Sequence, residues 1–177
     1  IEECQSASKR VLIFSQFTEM LGLIGRELGY RGLPFFYLDG KTPAAERVEL
    51  CSRFNDGERD LFLISLKAGG TGLNLTGADT VILYDSDWNP QVDLQAMDRA
   101  HRIGQKNPVM VYRMITEKSL EEKIVERQMV KLKWDTLVIQ QGRFQQKNKV
   151  FTKDEIKDMI QFGASEVRII WNMMISC

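Results

Sequence analysis

The segment Gln95-Ala-Met-Asp-Arg-Ala-His-Arg-Ile-Gly-Gln105 carries two arginines, Arg99 and Arg102, three residues apart. The spacing predicts a helix with both on one face. Its start is marked by Asn89, a good cap, and by Pro90, whose missing N–H costs nothing in a first turn. On such a helix Gln95, Asp98, Arg99 and Arg102 crowd one side. A guanidinium is planar, permanently charged and forked, so a fixed pair suits the oxygens of a phosphoryl group in transfer better than lysines do. The chemistry on offer is that of an arginine-finger element. Spacing alone more often means a solvated salt-bridge face, so the elements that position this segment must decide.

The 177 residues are 44% hydrophobic and 27% charged, which suits one globular domain plus an appendage. Lys+Arg and Asp+Glu both number 24, so there is no global positive field, and any nucleic-acid surface must be a local patch. Cys4, Cys51 and Cys177 are odd in number, far apart and without a C-x-x-C pair, against both a disulfide framework and a zinc site. No stretch approaches the roughly 20 apolar residues that span a bilayer. The first residues lack the basic and apolar regions of a secretory signal. The expectation is a soluble intracellular chain or a fragment of one, with no membrane partner.

Val11–Phe14 is a short unbroken apolar run, as in strands covered on both faces. Phe17, Met20, Leu21, Ile24 and Leu28 then recur at helical spacing. Phe35–Leu38 is a second strand, and Thr42-Pro43 marks a helix start, with Val48, Cys51 and Phe54 facing inward. Leu61–Ile64, Thr80–Tyr84 and Val109–Tyr112 read as strands three to five. Strands alternating with helices imply an α/β fold, a doubly wound, mostly parallel sheet with right-handed crossovers. Ser15-Gln16, Asp39–Thr42, the glycine-rich Lys67–Asn74 and Trp88-Asn-Pro90 each lie just past a strand's carboxyl end, where such folds bind ligands. Ser119-Leu-Glu-Glu122 forms a capping box opening a long helix. Gln140–Lys149 is polar and basic, hence a linker, and Thr152–Glu155 opens a second, short helix. Met20, Met97, Met110, Met114 and Met129 read as core or interface packing, not a cofactor box.

Taken together, Phe14–Phe17, Leu38–Thr42, Lys67–Leu75, Trp88–Pro90 and Asp98–Gln105 closely resemble, in that order, the second RecA-like lobe of Swi/Snf-type chromatin-remodelling ATPases. The resemblance covers about residues 9 to 140. The tail Leu137–Phe144 and the Thr152–Ala164 stretch look most like the imitation-switch, nucleosome-spacing branch. Two departures are Leu66, where chromatin members commonly have threonine, and the apolar run 169–175, where an acidic, polar continuation is expected.

The resemblance implies four parts: a leader (1–8), the RecA-like lobe (9–118), a bracing helix (119–139), and a regulatory linker with a short helix and apolar tail (140–177). It implies an ATP site, with Mg2+, between two lobes. The first lobe supplies the phosphate-binding loop and the metal-binding acid, and neither motif is in this sequence. The second lobe supplies fingers, here Arg99 and Arg102, supported by Gln95, Asp98, Gly70, Gly72 and Asn74. The chain then holds half of an ATPase site, holds no metal itself and is inactive alone. Ser15, Gln16, Lys41, Thr42, Lys67, the Gly69-Gly70 backbone and Trp88 are the candidates for contacting double-stranded DNA. None implies base reading, so binding should be sequence-tolerant and salt-dependent. For Thr42 the plain alternative is helix capping, for Lys67 a solvated loop residue, and for Trp88 partial core burial. His101, the sole histidine, reads as structural. Expected partners are nucleosomes and their histones, a first lobe and remodelling-complex subunits, in the nucleus. Two rivals stand beside this reading: a bacterial or repair-type DNA translocase, and a non-enzymatic docking module.

Overall fold

The computed structural model describes residues 9–145. The leader 1–8, the expected short helix at Thr152 and the apolar run 169–175 lie outside the described residues. The chain divides after Glu122 into two compact units.

The first unit holds β1 (Val11–Ser15), α1 (Thr18–Tyr30), β2 (Phe35–Leu38), α2 (Ala44–Asn55), β3 (Leu61–Ser65), a 3₁₀ segment (Leu66–Thr71), β4 (Thr80–Leu83), α3 (Pro90–Met97) and β5 (Met110–Arg113). The strands form one parallel sheet in the order β2-β3-β1-β4-β5. β1 and β3 have neighbours on both sides and are buried at every position, so their sequences are apolar without alternation. The edge strand β5 alternates instead, leaving Met110 and Tyr112 exposed.

Two cores sandwich the sheet. On one face Val11, Ile13, Leu61 and Leu63 pack with Leu21 and Leu28 of α1. On the other, Leu12, Phe14, Phe62, Ile64, Val81 and Leu83 pack with Cys51 and Phe54 of α2 and Ala96 of α3. The chain moves from β1 outward to β2 and then back across, so right-handed crossovers put α1 and α2 on opposite faces. The doubly wound architecture follows. Gly25 lets α1 approach the sheet, because a Cβ there would sit 3.0 Å from the Phe35 ring. Connections run in opposite directions from the adjacent β1 and β4, which opens a crevice at their carboxyl ends.

Three local expectations differ from the structure. Phe17 precedes α1 at its cap position and is 62% exposed. In α2 Cys51 and Phe54 face inward as expected, but Val48 is 71% exposed and the preceding Arg47 turns inward in its place. At Ser119 the hydroxyl accepts from the Glu121 N–H at 3.0 Å, but the carboxylate reaching back is that of Glu121, which accepts from the Thr116 N–H at 2.6 Å. The capping function is kept by a different acid from the expected Glu122. That cap opens α4 (Leu120–Gln145), which continues past the linker boundary expected at 140. Among the described residues no helix is long and apolar enough to cross a membrane.

α3 is tied to the edge strand by a buried ion pair. Asp93, fully buried, lies 3.4 Å from the Arg113 guanidinium and also accepts from the Asp87 N–H at 3.2 Å. Burial pulls the Arg113 guanidinium below its usual range and Asp93 opposes the shift. Removing one partner of such a pair strands a charge out of water. Asp93→Ala is therefore expected to lower stability by about 3–5 kcal/mol in urea unfolding. Burial also pushes the Cys51 thiol up to about 11, with nearby Arg99 pulling the other way. Because the thiolate is the reactive form, Cys51 should resist iodoacetamide at pH 8 in the folded protein and react once urea unfolds it.

Candidate nucleotide and nucleic-acid site

The carboxyl edge of the sheet is built from side chains that bind loops to one another. Ser15 is buried, and its hydroxyl donates to the Asp85 carboxylate beyond β4. The same carboxylate accepts from the Gln16 N–H at 2.9 Å, and Gln16 Nε2 donates to the Ser86 carbonyl at 2.7 Å. The crevice between β1 and β4 is thus closed at its base. The Ser15 hydroxyl is turned inward onto this carboxylate.

Thr42 does not cap α2. The cap position belongs to Pro43, with no side-chain bond, and Thr42 Oγ1 instead accepts from the Asp39 N–H at 3.1 Å. The Asp39 carboxylate accepts from the Lys41 N–H at 2.8 Å. These bonds shape a tight turn after β2 that leaves Lys41 exposed. Lys67 is exposed just beyond β3, and Trp88 is 52% exposed before α3.

The arginine segment departs most from expectation. α3 ends at Met97 and residues 98–104 turn. Beyond Met97 the backbone tightens, the Arg99 N–H donating to the Ala96 carbonyl at 3.3 Å and the Arg102 N–H to the Ala100 carbonyl at 3.1 Å, while Arg99 O accepts from the Leu75 N–H at 3.0 Å and Ala100 O from Gln105 Nε2 at 3.1 Å. Gly104 at φ +106 completes the turn, a conformation that costs glycine little. Arg99 and Arg102 therefore do not share a helix face. They meet by another route, because Gln95, Asp98, Arg99 and Arg102, with His101, Ile103, Gly72 and Leu73, line one open cleft of about 630 Å3.

Within the cleft the two arginines differ. Arg99 is 8% exposed; burial lowers its pKa, Cys51 opposes that, and the like charge of Arg102 adds to it. Arg102 is exposed and donates from Nη1 to the Gly72 carbonyl at 3.0 Å. Gly72 adopts the left-handed conformation at φ +60. Asn74 is exposed, and its carbonyl accepts from Asn55 Nδ2 at 3.0 Å. Gly69 and Gly70 belong to the 3₁₀ segment between Lys67 and the cleft. Two fixed positive charges against one carboxylate suit a polyphosphate rather than a cation. Among the described residues no group of three or more His, Cys, Asp or Glu side chains could hold a metal ion.

Sequence reasoning missed Arg47, Asn55, Asp85 and the Asp93–Arg113 pair. Arg47 alone left a trace, as the charged member of an otherwise apolar helical stripe. The buried and exposed arginines should also part company in stability. Arg102→Ala is expected to stay within about 0.5 kcal/mol of wild type in urea unfolding, and Arg99→Ala to lose about 1–3 kcal/mol.

Residues 1–104 match the helicase conserved C-terminal domain. The human SWI/SNF-related matrix-associated actin-dependent regulator of chromatin subfamily A member 1 is 52% identical over 171 residues, covering 94% of this chain and 16% of that protein. The ISWI chromatin-remodeling complex ATPase ISW2 of Saccharomyces cerevisiae is 48% identical over 170 residues, covering 94% and 15%. The chain thus spans about a sixth of the length of the curated relatives it matches. Among solved structures, the C-terminal part of the Fun30 ATPase domain superposes with a TM-score of 0.67 at 40% identity, covering 70% of this chain and 40% of that one. The parallel five-stranded sheet with its flanking helices is accordingly RecA-like, and the chain belongs to the helicase conserved C-terminal domain family, in the form carried by Swi/Snf- and ISWI-type chromatin-remodelling ATPases.

Proposed function

We propose that this chain is the second lobe of an ATP-dependent double-stranded DNA translocase that remodels nucleosomes, on the imitation-switch side of the family. The observation that carries the reading is the cleft in which Arg99 and Arg102 converge with Gln95 and Gly72. ATP, held with its Mg2+ by a first lobe, supplies the phosphoryl group to be transferred. This chain's part is charge and position. Arg99, held by burial, presents a pre-organised guanidinium. Arg102, exposed and bonded only lightly to a glycine carbonyl, exchanges that acceptor for a phosphate oxygen when the lobes close. Asp98 and Gln95 orient the arginines and meet the nucleotide side, and Gly70, Gly72 and Asn74 shape the wall.

The DNA side of the reading rests on Lys41 and Lys67, both exposed at the carboxyl edge. Gln16, Thr42, Gly69 and Trp88 follow the carboxyl ends of β1, β2, β3 and β4 along the same edge. Lysine ammonium groups and backbone N–H groups meet phosphates without reading bases, so the lobe tracks duplex DNA of any sequence. Ser15 acts indirectly, by holding Gln16 through Asp85. A nuclear location, histone contacts and partner subunits belong to the same reading, because the relatives are chromatin-remodelling ATPases by name.

Turnover of ATP should be absent for this chain alone. It should appear on adding a first lobe from an ISWI-type relative, rise with duplex DNA and further with nucleosomes, and fall by about 10³ or more in Arg102→Ala. Activity surviving Arg102→Ala removes that residue's role. DNA binding with no turnover in either mixture leaves a docking module.

A further inference from the structure

The guanidinium of Arg47 joins two loops that leave the sheet side by side. β2 and β3 are adjacent and parallel, with Leu38 opposite Ile64, so the turn after β2 and the glycine-rich segment after β3 start about 5 Å apart. Arg47 points between them from the first turn of α2. Its Nε donates to the Thr42 carbonyl at 2.7 Å, and Nη2 donates to the Asp39 and Gly40 carbonyls at 3.3 and 3.1 Å. Its Nη1 donates to the Ala68 carbonyl at 3.0 Å. Three bonds hold one loop and one holds the other. Lys41 lies within the first set of acceptors and Lys67 adjoins the second.

We propose that Arg47 is a positioning residue for DNA binding, a clamp that sets the Asp39–Thr42 turn and the Lys67–Ala68 backbone in one register so that Lys41 and Lys67 engage one phosphate backbone together. The inference rests on the DNA-binding reading above. The physical basis is the fork. A guanidinium offers five N–H donors in a plane, four of which are used here in three directions, whereas lysine offers three from a single point. With its donors directed at carbonyls of its own chain, Arg47 makes no phosphate contact. Its effect on DNA passes through the lysines.

Coupling between residues distinguishes a clamp from an ordinary stabilising arginine. Fluorescence anisotropy of the 177-residue chain on a labelled duplex would be measured across salt for Lys41→Ala, Lys67→Ala, Arg47→Lys, Arg47→Gln and the double variants. Lys41→Ala and Lys67→Ala should each weaken binding roughly threefold and lower the log–log salt slope by about 0.9. Arg47→Lys should also weaken binding and reduce the slope, although it keeps the charge. In the Arg47→Lys background, Lys67→Ala should cost much less than it does alone. Full additivity overturns the clamp while leaving DNA binding intact. No effect from either lysine variant overturns the DNA reading, and the clamp with it. Should both Arg47 variants fail to fold, amide hydrogen exchange keeps the wild-type arginine: DNA should protect both loops, and Lys67→Ala should strip protection from residues 39–42 as well. Protection of 39–42 that survives Lys67→Ala overturns the proposal.

Discussion

The chain leaves β3 at Ser65 and re-enters the sheet at Thr80 on the far side of β1, and it makes this crossing without an α-helix. A helical crossover satisfies its own backbone, whereas this one must find partners for its N–H and C=O groups elsewhere. They come from both flanks. Arg47 takes the Ala68 carbonyl, Asn55 takes the Asn74 carbonyl and the Gly77 N–H, Arg102 takes the Gly72 carbonyl, and the Arg99 carbonyl takes the Leu75 N–H. Leu66, Ala68, Leu73, Leu75 and Ala78 pin the segment to the core beneath. The glycine-rich crossing is therefore the common support of the arginine cleft and the lysine-bearing edge.

That dependence explains why the ends of α2 are so heavily engaged. Near its start lies Arg47. At its far end Asn55 bridges to the crossing, and Arg10 donates to the carbonyls of Phe54 and Asn55 at 3.0 and 2.9 Å. These are the last carbonyls of the helix, which lack partners within it. Gly77 is required in this junction, because a Cβ there would lie 2.9 Å from Asn55 and from the Arg10 guanidinium.

The sheet was legible in the sequence because its strands announce themselves by unbroken apolar runs, and the parallel arrangement followed from their alternation with helices. The start of α3 was legible too: Asn89 accepts from the Gln91 N–H and Pro90 fills the first turn, both local effects. What local reading cannot see is a backbone group claimed from far along the chain. The segment from Arg99 to Arg102 leaves the helical ladder for tighter turn bonds, and Leu75 and Gln105 bind the carbonyls of Arg99 and Ala100 from elsewhere in the chain. Thr42, suited by type to capping, finds the closer Asp39 N–H. Ser15 is polar and ends a strand, yet Asp85, 70 positions later, turns it inward. The arginine pair was identified by type and order, and its convergence is made by tertiary folding rather than by helical spacing.

The acceptors of Arg47 are main-chain oxygens without exception. A clamp of this kind is indifferent to the side chains of the loops it fastens, provided their path is kept. A change of side chain at position 41 or 67 therefore alters what the edge presents to a partner without rebuilding the scaffold that presents it.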